Sequence, residues 1–182
     1  MSVNVSGIIK SIRDIMREDR GINGDAQRIE QLSWLLFLKI FDDKDLELES
    51  LNTRYKSPIP KKYQWRSWAG HAEGITGDEL LNFTDNELFP KLKELSISSE
   101  DHRGFLVKKV FEDQNNYMKS GTNLRKVLNK LNEIDFNKAK ERHLFGEFYE
   151  SLLQELQSAG DYGEFYTPRA VTQFITEMIN PK

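Results

Sequence analysis

The chain contains no cysteine. That excludes a disulfide framework, a zinc–thiolate site and a thiol nucleophile. Histidine is scarce too: His71, His102 and His143 are scattered without metal-ligand spacing, so no metal site is expected. No long hydrophobic run exists. The longest, "WLLFLKIF" from Trp34 to Phe41, is far short of a membrane span. The start, "MSVNVSGIIKSIRD", has neither a basic flank nor a long apolar stretch, so no signal peptide is read there. A cytoplasmic, soluble protein with no membrane partner is the expectation. Phosphate-cradling glycine motifs, a nucleophile elbow and an Asp-rich metal loop are all missing. Nothing before residue 160 looks like an active site, and no catalytic residue is expected among the 182 residues. The net charge of −3 argues against a nucleic-acid grip over the whole surface but leaves room for a local one.

What is present is an ordinary globular composition, 38% apolar and 30% charged over 182 residues. The apolar spacing is helical. Val5 to Arg20 places Ile8, Ile9, Ile12, Ile15 and Met16 on one face. "GINGDA" breaks that pattern, with Asp25 as the expected N-cap of a long helix from Ala26 to about Leu48. The middle of this helix is apolar nearly all round, which places it at the centre of a bundle. Its acidic end, "FDDKDLELES", reads as a solvated face. Helical patterns resume at "TGDELLNFTDNELFPKLKEL", interrupted at Pro90, then at "RGFLVKKVFED" and "GTNLRKVLNKLNEIDF". Thr122 or Asn123 is expected to cap the last of these. A further stripe runs through Leu144, Phe145, Phe148, Tyr149, Leu152, Leu153 and Leu156 and stops at Gly160. A final helix starts at Thr167-Pro168 and ends before Asn180-Pro181. The fold class expected is mainly α, a helical bundle.

Residues 54–77 break the helical character, with two prolines, three glycines and four large aromatics. A basic, aromatic-rich loop or short hairpin is expected. Arg54, Lys56, Lys61, Lys62 and Arg66, interleaved with Tyr63 and Trp65, suit a DNA backbone and exposed bases. The competing reading is a solvated loop pinned to the bundle by Trp65 and Trp68. Lys119, Arg125, Lys126 and Lys130 form a second basic stretch on a helix.

The other unusual stretch is "GEFYTPR", Gly163 to Arg169. One reading is a plain joint, with aromatics stapling the loop to the bundle. The other places an anion at the new helix N-terminus and a cation or flat ring against an aromatic. S-adenosylmethionine combines a carboxylate, a sulfonium and an adenine.

The segment "AGDYGEFYTPRAVTQFITEMINPK" closely resembles the lead into the methyltransferase domain of the modification subunit of type I restriction–modification systems. That family's pattern is Gly-(Glu/Gln)-aromatic-aromatic-Thr-Pro-Arg, then a helix and (Asn/Asp)-Pro, each present here in order. The long apolar second helix and "YQWRSW" extend the likeness upstream. The resemblance implies an adenine-N6 DNA methyltransferase with S-adenosylmethionine as cofactor. It implies double-stranded DNA, a specificity subunit and a second methyltransferase subunit as partners, with a restriction subunit in the larger assembly. It assigns Glu164, Phe165, Tyr166, Thr167, Pro168 and Arg169 to the cofactor site. Residues 1–160 are then the N-terminal helical domain and 161–182 the loop and helix leading into a Rossmann-like catalytic domain, whose glycine loop and Asn-Pro-Pro-(Phe/Tyr) motif this sequence lacks. A free-standing helical interaction domain is the alternative.

Overall fold

In a computed structural model, residues 5–95 and 102–136 are described. The apolar stripe at 144–156, the stop at Gly160 and the whole of Glu164 to Arg169 lie outside the described residues. All regular structure among the described residues is helical.

Helix α1 (Val5–Arg17) buries Ile8, Ile9, Ile12 and Met16 along one face. A tight turn then leads into α2 (Gly24–Leu51), the longest element. The helix begins two residues earlier than Asp25 requires. Asn23 is the N-cap, and its N–H donates to Oε1 of Gln27 at 2.6 Å. Asp25 sits in the first turn instead and pairs with Arg28. Gly24 has φ of +83°, a left-handed conformation that a β-carbon disfavours, and this lets the helix start so sharply after α1.

The middle of α2 is the centre of the molecule. Trp34 and Leu35 are fully buried, and Leu36, Leu38 and Phe41 nearly so. Trp34 meets Phe89 edge-on at 5.0 Å and Phe111 at 6.4 Å, so three helices converge on one indole. These partners come from α5 (Phe89–Lys93) and α6 (His102–Phe111).

Before α5 come α4 (Gly77–Asn82) and a π-helical stretch, Phe83–Leu88. The expected interruption at Pro90 therefore takes another form. The backbone widens ahead of the proline, with Phe89 N–H reaching Thr84 O, and the helical path then continues through Pro90. Widening relieves the clash between a proline ring and the carbonyl one turn earlier.

Helix α7 (Gly121–Leu131) packs against α1, α4 and α2. Its cap is Ser120, whose Oγ accepts from Asn123 N–H at 3.2 Å, not Thr122 or Asn123. Gly121 explains the earlier start: a Cβ there would lie 1.8 Å from Gly77 O, so only glycine lets α7 cross α4 this closely. Asp19 ties the ends together. It is buried and accepts backbone N–H groups from Gly21 (2.9 Å), Lys119 (2.9 Å) and Ser120 (3.0 Å).

The acidic end of α2 is not a solvated face. Asp42, Asp43 and Asp45 are 4%, 8% and 0% exposed. Each carries its own cation: Arg66 for Asp42 at 3.0 Å, Lys39 for Asp43 at 2.5 Å, and Arg103 for Asp45 at 2.5 Å. A buried carboxylate is tolerated only when paired and hydrogen-bonded. Two of the three cations arrive from other segments, 24 and 58 residues away, which a local reading of charge cannot see.

Candidate nucleic-acid interface

The segment from Asn52 to Thr76 joins α2 to α4. Asn52 closes α2 through its N–H to Leu48 O (2.9 Å), and its Oδ1 accepts from Arg54 N–H (3.0 Å). Pro58 and Pro60 bar a helix, and no strand pair forms. Instead a 3-10 turn, Lys61–Tyr63, leads into α3 (Trp65–Trp68). Gln64 Nε2 donates to Ile59 O (2.9 Å), and Ile59 is buried beneath the turn.

The basic and aromatic side chains of this segment divide into two sets. One faces the bundle. Trp65 is buried, and its Nε1 donates to Asn132 Oδ1 at 2.8 Å. Trp68 is buried as well, donating from Nε1 to Tyr63 O at 3.2 Å. Tyr63 is half-buried and stacks on Phe83 at 6.0 Å and 16°. Arg66 spans two acids of α2, donating to Asp42 Oδ1 at 3.0 Å and forking onto Glu49 at 2.7 and 2.9 Å. Burial pushes the Asp42 carboxyl up, with the Arg66 guanidinium opposing that rise. Both groups are thus committed to holding the segment on α2. The other set faces water. Arg54, Lys56 and Lys61 are exposed and form no ion pair with another described residue. Lys62 is exposed too, but its Nζ is held by the Glu87 carboxylate.

Tyr55, between two of the outward cations, points inward. Its hydroxyl donates to Asp45 Oδ1 at 2.6 Å and accepts from Arg103 Nε at 2.9 Å, while the Arg103 guanidinium lies 4.2 Å over Phe41. Burial first, then the hydrogen bond to Asp45, pushes the phenol up to about 12. The folded chain therefore keeps this proton between pH 10 and about 12, where the unfolded chain has lost it. The stability contributed is fully present below pH 10 and is lost as pH passes about 12. In an alkaline absorbance titration, one tyrosine should titrate late, and Tyr55→Phe should remove that late step. A Tyr55→Phe variant that keeps the late step and loses amplitude only near the ordinary tyrosine range would show that the Asp45–Tyr55–Arg103 cluster is open to water.

The second basic stretch separates in the same way. Arg125 is buried, 6% exposed. Its guanidinium donates to backbone carbonyls only: Trp68 (2.8 Å), Ala69 (3.2 Å), His71 (3.1 Å) and Ile75 (2.7 and 2.9 Å). Asn132, two turns on, donates to Ala69 O at 2.7 Å. One face of α7 thus binds the backbone of the 68–75 turn. Lys119 and Lys126 remain exposed, and Lys130 pairs with Glu133 at 2.7 Å. Sequence reasoning missed Glu87, Asn132 and Arg103. None has a local signal, since each partner lies 25 residues or more away.

Among the described residues, the segment from Asn52 to Thr76 therefore offers three cations without an ion pair, Arg54, Lys56 and Lys61, while its aromatics act as anchors on the bundle side. Among the described residues there is no cluster suited to a metal ion, and no helix is long and apolar enough to cross a membrane.

Residues 6–131 match the family model of the HsdM N-terminal domain, and residues 140–182 match that of the N-6 DNA Methylase. The chain is 59% identical over 181 residues to the type I restriction enzyme EcoEI methylase subunit of Escherichia coli, an alignment covering 99% of this chain and 37% of that protein. It is 24% identical over 159 residues to the StySPI methylase subunit of Salmonella potsdam, covering 85% of this chain and 26% of that one. Among solved structures it superimposes, with a TM-score of 0.84 and 38% identity, on a modification subunit of a putative type I restriction enzyme from Vibrio vulnificus YJ016. That match covers 97% of this chain and 40% of the other. A chain from a structural study of complex assembly and conformational transition of the type I R-M system gives a TM-score of 0.82 at 32% identity, covering 98% and 36%. The chain thus spans between 26% and 40% of the length of these relatives.

Proposed function

The chain belongs to the HsdM N-terminal domain family of type I restriction–modification methylase subunits, and from that premise we propose that it serves a cytoplasmic adenine-N6 DNA methyltransferase in three ways. It meets duplex DNA, it helps dock the specificity subunit, a second methyltransferase subunit and the restriction subunit, and it supplies one wall of the S-adenosylmethionine site. Residues 1–160 are the helical domain in this reading, and 161–182 the cofactor loop and its helix. The observation that carries it is the likeness to methylase subunits along almost the whole chain, together with a methylase-family match that includes Glu164 to Arg169. A free-standing interaction domain is not favoured, because these relatives are methylase or modification subunits.

S-adenosylmethionine supplies the methyl group. Of this chain's own residues, Thr167 would meet the methionine end through its backbone and hydroxyl. Phe165 or Tyr166 would form an apolar wall, and Pro168 would set the helix start. Glu164 and Arg169 flank them. Such a wall does not hold a flexible ligand alone. Association costs on the order of 4–15 kcal/mol in lost freedom. A helix terminus and one or two ring contacts return only ~1–3 kcal/mol. Calorimetry should therefore detect no S-adenosylmethionine binding to the 182-residue chain. In the full-length subunit, Tyr166→Ala with Thr167→Ala should weaken binding while leaving the helical domain folded. Micromolar binding by the short chain, or undiminished binding by the full-length double variant, would overturn the assignment.

A further inference from the structure

Resting on the DNA reading above, the inference concerns which cations of the loop meet DNA. Lys62 differs from its exposed neighbours. Its ammonium is bonded to Glu87, on the π-helical stretch, and lies 5.7 and 5.9 Å from the ring centroids of Tyr63 and Phe83. Those rings stack on each other, and the charge lies nearly equally far from both. The Glu87 hydrogen bond raises the Lys62 pKa. Arg54, Lys56 and Lys61 have no such acid among the described residues. We propose that DNA phosphates are met by Arg54, Lys56 and Lys61, while Glu87 occupies Lys62 as an internal stand-in for phosphate.

The consequence is a difference in ion release. A free cation that contacts a phosphate displaces one condensed counterion from the duplex. Lys62 can do so only by abandoning Glu87. While it stays on Glu87, it contacts no phosphate and releases no counterion. The three free cations lie within seven peptide units, at most about 25 Å of chain. A duplex carries one charge per about 1.7 Å of axis, so each of the three has a phosphate within reach.

The test is the salt dependence of binding by the full-length subunit to a short DNA duplex. Lys61→Ala, Arg54→Ala and Lys56→Ala should each flatten the log–log slope by up to about 0.9. Lys62→Ala should leave it unchanged. Glu87→Gln should steepen it by up to about 0.9, and adding Lys62→Ala to Glu87→Gln should cancel that gain. All of these side chains are exposed or half-exposed, and thermal unfolding checks that each variant folds. If Lys62→Ala flattens the slope as Lys61→Ala does, or Glu87→Gln changes nothing, the role given to Glu87 fails while the DNA reading stands. If none of the three free cations affects binding, both fail together.

Discussion

Arg125→Met is expected to cost about 4 kcal/mol of folding free energy, with the loss centred on the turn at residues 68–75. The guanidinium makes five donor contacts to four carbonyls and faces no carboxylate among them. Ala69 and His71 each have a second donor, Asn132 Nδ2 at 2.7 Å and Gly74 N–H at 3.1 Å. Trp68 and Ile75 depend on Arg125. Leaving the buried Trp68 carbonyl and the part-buried Ile75 carbonyl without a donor costs up to about 1–3 kcal/mol each, before any cavity is counted. Burial lowers the Arg125 pKa, so the site already opposes the charge and keeps it for the hydrogen bonds. Arg125→Lys should restore little, because an ammonium has three donors and no planar fork. Urea unfolding measures the effect. A loss below about 1 kcal/mol would mean that water replaces the guanidinium, and that the turn is looser than its bonding implies.

Trp34→Ala should cost about 3–5 kcal/mol. The side chain is fully buried and is the point at which α2, α5 and α6 meet. Its Nε1 has no acceptor among the described residues, so part of the indole works against stability. Trp34→Phe keeps most of the ring contact and removes that donor. It should therefore cost far less, under about 1.5 kcal/mol. The gap between the two variants is the informative quantity. Equal losses would mean that the site tolerates no change of shape, and that the unbonded N–H carries little penalty. Against a typical domain stability of about 5–15 kcal/mol, the alanine variant alone could leave the chain marginal.

Much of the helical layout was legible from spacing. The amphipathic face of α1 and the all-round apolar middle of α2 appear in the sequence as they do in the structure. Hydrophobic periodicity is a local property, and burial of a large apolar side chain rarely needs a specific partner. The helix starts were less legible. Asn23 and Ser120 are the caps in place of Asp25 and Thr122 or Asn123, because the turn through Gly24 and the contact of Gly121 with Gly77 decide where each helix can begin.

The candidate interface was legible as a composition but not as a surface. Arg54, Lys56, Lys61, Lys62, Tyr63, Trp65 and Arg66 stand together in sequence, yet the fold turns Tyr63, Trp65 and Arg66 toward the bundle and binds Lys62 to Glu87. By itself, the sequence determined the helical class, the central helix and the motif of a methylase subunit, since each depends on residues near one another along the chain. Only the tertiary structure decided the fate of the charges. Asp42, Asp45, Arg66 and Arg125 look like water-facing residues locally, yet three of them are buried and Arg66 is half-buried against α2. Their partners lie 10 to 58 residues away, and the cost of burying a charge is set by the partner that folding brings to it.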